Sequence, residues 1–266
     1  MSSDLSVDEA IVLDEAGYDA CGLVTGSAVY RPSIFGRYAP MSTSTELTEL
    51  SSALHLARSL AMNRLLDQAQ SLGADGVAGV ELEMRGAEGR GRDMEFFAMG
   101  TAVVRRADPG ASSGTRRRRR DGHERRPFTS DLSGQQLYLL ERAGFAPVEM
   151  VMGVCVYHVA RQSVARWWSN VTANTELVNV TEALYESREL AMGRMQKEAE
   201  DAGAEGVVGV RIDEHAHIWG SQVIEFLAIG TAVVALEGGH QPLDVRTAMP
   251  LDDATVATDV RRLLGG

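Results

Sequence analysis

The segment GADGVAGVELE at residues 73–83 returns at residues 203–217 as GAEGVVGVRIDEHAH, a close copy extended by two histidines. A copy of this length indicates an internal repeat, which fixes the domain organisation before any other motif is considered. The copy also raises a question of chemistry, because His215 and His217 have no counterpart in the first segment.

The repeat extends in both directions from this segment. Upstream, GSAVY at residues 26–30 recurs 127 residues later as GVCVY. Downstream of a three-residue insertion the offset becomes 130, and EFFAMGTAVV at residues 95–104 recurs as EFLAIGTAVV. These matches predict two homologous domains, at residues 1–107 and 128–236.

The residues between the copies have the composition of a linker. Arg116–Arg126 contains seven arginines against Asp121 and Glu124, in a chain whose formal net charge is −11. The surrounding residues are rich in Gly, Ser and Pro and nearly devoid of apolar side chains, so they cannot bury a core. We predict an arginine-rich disordered linker at residues 108–127, and a C-terminal tail at 237–266 with one short helix.

Each copy has the pattern of a short helix, a strand, a long helix and two further strands. Ser6 with Glu9, and Ser133 with Gln136, have the spacing of a helix capping box. Apolar residues then recur at three- and four-residue steps along the long helix, as in an amphipathic helix laid on a sheet. The predicted fold class is α/β (α+β), with a small, mainly antiparallel, three-stranded sheet packed on one long helix in each domain. One sheet face is covered and the edges are bare, so we expect assembly with other chains.

Composition narrows the class of protein. The hydrophobic fraction of 44% is typical of a soluble globular protein, and no apolar run approaches the roughly 20 residues of a membrane helix. The acidic N-terminus does not resemble a secretory signal, and Cys21 and Cys155 are too few for a disulfide framework. We therefore expect a cytoplasmic protein with packed thiols. The acidic charge argues against nucleic acid as a partner of the folded domains, and Arg116–Arg120 is the segment that suits such a contact.

Several segments together resemble the YbjQ family (UPF0145), whose name carries a heavy-metal-binding label. They are LVTGSAVY, LARSLAMNRLLDQAQSLGADGVAGVELE and EFFAMGTAVV in the first copy, with ESRELAMGRMQKEAEDAGAEGVVGVRID and EFLAIGTAVV in the second. The resemblance implies a dodecin-subunit-like fold in each copy, assembly as a pentameric ring and no enzymatic activity. Five chains in two stacked layers are favoured over five pseudo-equivalent positions filled irregularly, because the two copies are similar enough to occupy similar places.

The added histidines give a candidate metal site. On a strand, Asp213, His215 and His217 share one face, and such a row is a plausible start of a divalent transition-metal site for Zn, Ni or Cu. The row is incomplete, because tight binding generally takes three or four protein ligands. The alternative interpretation is a set of exposed histidines on a hairpin.

Other residues also stand out. Glu95 and Glu225 lie in otherwise apolar predicted strands. We expect them to accept a hydrogen bond at a subunit interface, because a buried carboxylate must be paired; the alternative is that they line a ring channel or coordinate a cation. Trp167 and Trp168, with Arg166 beside them, fall in a predicted loop. They suit a partner or a small ligand, and packing against a neighbouring subunit explains them equally well. Since no grouping typical of a catalytic site is evident, three hypotheses remain: a scaffold or interaction ring, a metal-binding ring, and a ligand-binding ring that uses the aromatic loops.

Overall fold

The computed structural model describes residues 7–31, 44–86, 94–106, 126–159, 178–216 and 223–236. Within them, the two halves of the chain fold alike, and the α/β class is confirmed. The helices are α1 (Val7–Glu15), α2 (Thr48–Ser71), α3 (Gly134–Arg142) and α4 (Val178–Asp201). The strands are β1 (Tyr18–Tyr30), β2 (Thr45–Glu46), β3 (Gly76–Gly86), β4 (Met94–Arg105), β5 (Phe128–Thr129), β6 (Phe145–His158), β7 (Gly206–Ala216) and β8 (Val223–Ala235).

Each half contributes three strands to its own sheet and a short fourth strand to the other. The first sheet has the order β1-β4-β3-β5 and the second has the order β2-β6-β8-β7. The long strands pair antiparallel, whereas β5 pairs parallel with β3. The prediction of three strands per sheet was wrong in this respect, because β5 and β2 each cross to the opposite half.

The glycines of the repeated segment have structural roles that recur in both copies. Gly73 and Gly203 follow the long helices with φ of 71° and 72°, the left-handed conformation that ends a helix. Gly79 and Gly209, with φ of 61° and 66°, lie where the register of β3 and β7 shifts against the neighbouring strand. The segment therefore encodes a helix end and a β-bulge.

Each long helix packs closely on the first strand of its own half. The predicted stripe of α2 is buried at Leu50, Leu54, Ala57, Ala61 and Leu65. The approach is close because a glycine of the strand faces the helix backbone. A Cβ at Gly26 would lie 2.1 Å from the Ala61 carbonyl oxygen, and one at Gly153 would lie 1.9 Å from that of Ala191.

A side chain at the end of each helix fixes this packing. The Gln68 Oε1 accepts a hydrogen bond of 2.8 Å from the Thr25 backbone N–H. In the second half, the Glu198 carboxylate accepts the equivalent bond of 2.7 Å from the Met152 N–H. Burial raises the pKa of the Glu198 carboxyl to about 7, although the Met152 N–H favours the ionised form. The same contact is thus neutral in one half and titratable in the other.

The short helices lie against one another at the start of each half. Ser133 caps α3 in the predicted capping box with Gln136, while the equivalent Ser6 lies outside the described residues. Gly17 and Gly144 end these helices with φ of 81° and 86°. Among the described residues, no helix is long and apolar enough to cross a membrane. The predicted linker core at residues 108–125 and the tail from 237 also fall outside the described part of the chain.

Candidate functional site

Several ion pairs and hydrogen bonds of the described residues lie where the two halves meet. There α2 is held between its own sheet and the second sheet. The apolar core around α2 takes side chains from β6 and β8 as well as from the first half, namely Met150, Met152, Val154, Val156, Val223, Leu227 and Ile229. The opposite face of the second sheet packs on α4 through Val151, Cys155, Phe226 and Ala228. The second sheet is therefore covered on both faces.

A buried ion pair joins the halves at the centre of this contact. The Arg58 guanidinium on α2 donates to the Glu225 carboxylate on β8, and the two side chains are only 1% and 0% exposed. The guanidinium also lies 4.9 Å from the Phe96 ring centroid, a cation–π distance. Since a buried charge is costly without its partner, this pair makes each half depend on the other.

The start of α2 is fastened to the edge of the second sheet. The Leu47 N–H donates to the Val156 carbonyl at 2.8 Å, and the Val156 N–H donates to the Ser51 hydroxyl at 2.9 Å. Arg194 forms an ion pair of 2.6 Å with Glu46. Burial opposes ionisation of Glu46, but hydrogen bonds from Arg194 and Ser51 outweigh it, so the pKa of this carboxyl lies below its usual value.

The reciprocal fastening is a strap, residues 128–132, that runs along the edge of β3. Its backbone bonds include the Ser130 N–H to the Val77 carbonyl at 3.0 Å and the Val80 N–H to the Ser130 carbonyl at 2.8 Å. The strap is tied to its own half by the Thr231 hydroxyl, which donates to Asp131 at 2.6 Å. The sequence SDLS at residues 130–133, which also occurs at residues 3–6, covers most of this strap, but the sequence alone did not indicate its partner.

A further cluster lies where β1 meets α3. Tyr18 and Arg105 both donate to the Glu141 carboxylate, and Arg105 donates to the Tyr18 hydroxyl at 2.7 Å. Burial and the negative charge of Glu141 raise the pKa of the Tyr18 hydroxyl, so it stays a donor. This cluster again joins residues of the first half to a residue of the second.

Comparison with known proteins agrees with the duplicated fold. The family model of YbjQ, described as "Putative heavy-metal-binding", matches twice, at residues 12–106 and 146–236. This chain belongs to the YbjQ family. One relative is the "Encapsulin nanocompartment protein Rv1762c" of Mycobacterium tuberculosis, 40% identical over 251 residues that span 94% of this chain and 92% of the relative.

Shorter relatives match only part of the chain. A UPF0145 protein of Thermotoga maritima is 40% identical over 76 residues, 29% of this chain and 68% of its own length. Another, from Methanococcus maripaludis, is 47% identical over 58 residues, 22% of this chain and 50% of its own length. The Mycobacterium tuberculosis relative thus matches across both repeats, whereas these UPF0145 proteins match a segment shorter than one repeat.

The structure places the predicted metal ligands of this YbjQ protein beside the ion pair. His215 lies opposite Glu225 on the neighbouring strand, and its Nδ1 is buried without a hydrogen-bond partner among the described residues. Asp213 lies opposite Leu227 and 3.7 Å from Arg211. His217 lies outside the described residues. The part of the chain that the structure describes holds no cluster of three potential ligands, so the donors there do not fit a complete metal site.

The other residues singled out from the sequence lie in different parts of the molecule. Glu225 lies at the boundary between the halves, whereas its repeat equivalent Glu95 lies half-buried on the face of the first sheet that α2 does not cover. A role at a subunit interface or channel stays a prediction for both. Arg166, Trp167, Trp168 and the run Arg116–Arg120 lie outside the described residues. Cys21 and Cys155 are free thiols, half-buried and buried.

Proposed function

We propose that this YbjQ protein is a non-enzymatic, self-assembling cytoplasmic protein with a scaffold or interaction role, built as a ring of five chains. The observation that carries the proposal is the contact between the two halves. It combines a buried ion pair, an apolar core and an exchange of strands, and these are the features of a permanent interface. The chain uses its buried charges to join one domain to the next.

The relative from Mycobacterium tuberculosis supports the same direction. Its name records an encapsulin nanocompartment protein, and the match covers nearly all of both chains. A compartment protein as a relative is compatible with self-assembly and a scaffold role for this chain. We therefore favour a scaffold over the metal-binding and ligand-binding alternatives.

The test is native mass spectrometry of the full chain, purified without an affinity tag or chelator, with elemental analysis of the same sample. We expect a complex of five copies of the 28.7 kDa chain. A monomer at micromolar concentration would overturn the proposal, and a ring of another size would overturn the pentamer alone.

The same sample tests the metal-binding alternative. A stoichiometric transition metal that disappears in the His215→Ala variant would replace the scaffold role with metal binding. Excess mass from a retained small molecule would instead favour the ligand-binding alternative.

A further inference from the structure

The contact between the halves has two sides, and the repeat supplies each side a second time. One side is the outer stripe of α2, on which Ser51, Arg58 and Met62 are buried although they do not belong to the stripe that faces the first strand. The 130-residue offset places Thr181, Arg188 and Met192 at the same positions of α4. All three are only partly buried. The outer stripe of α4 thus resembles that of α2, but no sheet of the described residues covers it.

The guanidinium of Arg188 lies over an aromatic ring of its own sheet, as the guanidinium of Arg58 does. The Arg188 guanidinium lies 5.2 Å from the Phe226 ring centroid, as that of Arg58 lies 4.9 Å from the ring of Phe96. Arg58 contacts the Phe96 ring and also forms an ion pair with the buried Glu225 carboxylate on the second sheet. Arg188 has a 3.4 Å contact with Glu214, and both of these side chains are more than 40% exposed.

The other side of the contact is the face of the second sheet that receives α2. Its equivalent on the first sheet is the face that points away from α2. There Val29 is 53% exposed, whereas the matching Val156 is fully buried. Leu23, Phe97 and Met99 are exposed or half-buried, while the matching Met150, Leu227 and Ile229 are buried. Glu95, the equivalent of Glu225, lies on this face.

The edge strands show the same asymmetry. The strap pairs with β3, where Val80 is 1% exposed. The equivalent strand β7 is the last strand of its sheet, and its Val210 is 42% exposed. Within the described ranges, nothing covers α4 and β7 of the second half in the way that the second half covers α2 and β3 of the first.

We infer that α4 of one copy docks on the uncovered face of the first sheet of a second copy, as α2 docks on the second sheet within the chain. Arg188 then forms a buried ion pair with Glu95 of the second copy, and the Thr181 hydroxyl accepts the Val29 N–H, as Ser51 accepts that of Val156. This inference rests on the proposed self-assembly and names its interface. The occupant is a second copy because this chain carries both matching halves, with the arginine on one and the carboxylate on the other.

Such a contact is head-to-tail, so it uses different surfaces on the two copies and closes into a ring when the rotation permits. Every chain adds two domains, and a closed ring of this kind holds an even number of them. Five domain positions cannot be filled by whole chains, whereas five chains would give ten positions.

Charge reversal on the full chain tests the pair. Glu95→Arg and Arg188→Glu are each expected to raise the dissociation constant of the assembly about 100-fold or more, because like charges then meet in a desolvated contact. The double variant restores the pair in reverse order and is expected to recover most of the assembly. Lys197→Glu is the matched control on the same helix. It makes the same charge change at an exposed side chain whose equivalent, Asp67, stays exposed in the internal contact.

A steric variant keeps the test decisive if a charge reversal prevents folding. Val29→Arg changes a side chain that is exposed in the single chain, so the fold is expected to remain while the docking face is blocked. Sedimentation velocity over a dilution series measures assembly, and circular dichroism verifies folding. If the parent chain assembles but folded Glu95→Arg, Arg188→Glu and Val29→Arg assemble equally well, this interface is wrong while self-assembly stands. If the parent chain is itself a monomer, both proposals fail.

Discussion

The two sheets of this protein have nearly the same sequence pattern and very different surroundings. The second sheet has α4 on one face and α2 on the other, whereas among the described residues the first sheet has a helix, α2, packed on one face only. Glu225 is consequently buried in an ion pair, and Glu95 is not. The difference teaches that burial at these positions is decided by the position of a domain in the chain and less by its own sequence.

The largest effect is expected from removing one partner of the internal ion pair. Glu225→Ala leaves the Arg58 charge buried without its carboxylate, so we expect the free energy of unfolding to fall by about 3 to 5 kcal/mol. Glu95→Ala, measured in chains diluted below assembly, is expected to change it by less than about 1 kcal/mol. Urea unfolding of both variants measures the contrast.

A second variant separates the cost of an unpaired charge from the value of the pair. Arg58→Met combined with Glu225→Leu replaces both charges by apolar groups of similar size, and we expect stability close to that of the parent chain. Equal losses in Glu225→Ala and Glu95→Ala would show that the two sheets are not as different as the contacts indicate.

The next effect should be the same in both halves, because each long helix packs on its own strand in the same way. Gly26→Ala and Gly153→Ala each place a Cβ against a helix carbonyl that cannot move independently of its helix. We expect each to lose about 3 kcal/mol of unfolding free energy through overpacking. Thermal unfolding of the two variants side by side is the measurement, and a loss confined to one half would contradict this equivalence.

A smaller effect is a pH dependence of the free energy of unfolding that arises in the second half only. The pKa of Glu198 is about 7 in the fold against an ordinary 4.5. Between these values the folded chain binds more protons than the unfolded chain, so the free energy of unfolding falls as the pH rises from about 4.5 to 7. Glu198→Gln, which copies the residue of the first half, should remove this decline and add about 1 to 2 kcal/mol at pH 8.

The reverse substitution is the matched control for this pH dependence. Gln68→Glu puts a carboxyl at the equivalent contact with Thr25 and should introduce a similar decline in the first half. Unfolding free energies at pH 5 and pH 8 measure both variants. A decline that survives Glu198→Gln would assign the pH dependence to another group.

The smallest effect is expected at His215, whose position is occupied by Arg85 in the first half. Arg58 neutralises the carboxylate beside His215, and Asp213 is the other predicted ligand within the described strand. We therefore expect added Zn²⁺ to shift the melting temperature of His215→Ala and of the parent chain equally. A stabilisation by Zn²⁺ that the variant loses would reverse this expectation.

Local patterns predicted most of the fold. The leucine and alanine spacing located α2, and the glycines located its end, because these features depend on residues close in sequence. Arg58 and Ser51 escaped prediction, since their burial depends on a sheet that begins more than 80 residues later. The fourth strands were not predicted for the same reason, because each is two residues long and forms only by pairing with a strand of the other half.

The site was less predictable than the fold. Glu225 stood out because a carboxylate in an apolar strand demands a partner, but nothing local identified Arg58. His215 stood out by its chemistry, yet the side chain beside it is the carboxylate that Arg58 binds. The long-range pairing of Arg58 with Glu225 shows that this carboxylate is held in an ion pair. A single sequence does not contain that information.

The distance along the chain between Arg58 and Glu225 has a consequence for biosynthesis. The two residues are 167 positions apart, so at typical translation rates of 5 to 20 residues per second Arg58 waits roughly 10 to 30 s for its carboxylate. During that interval the outer stripe of α2 has no second sheet to cover it, because β6 and β8 have not yet been synthesised.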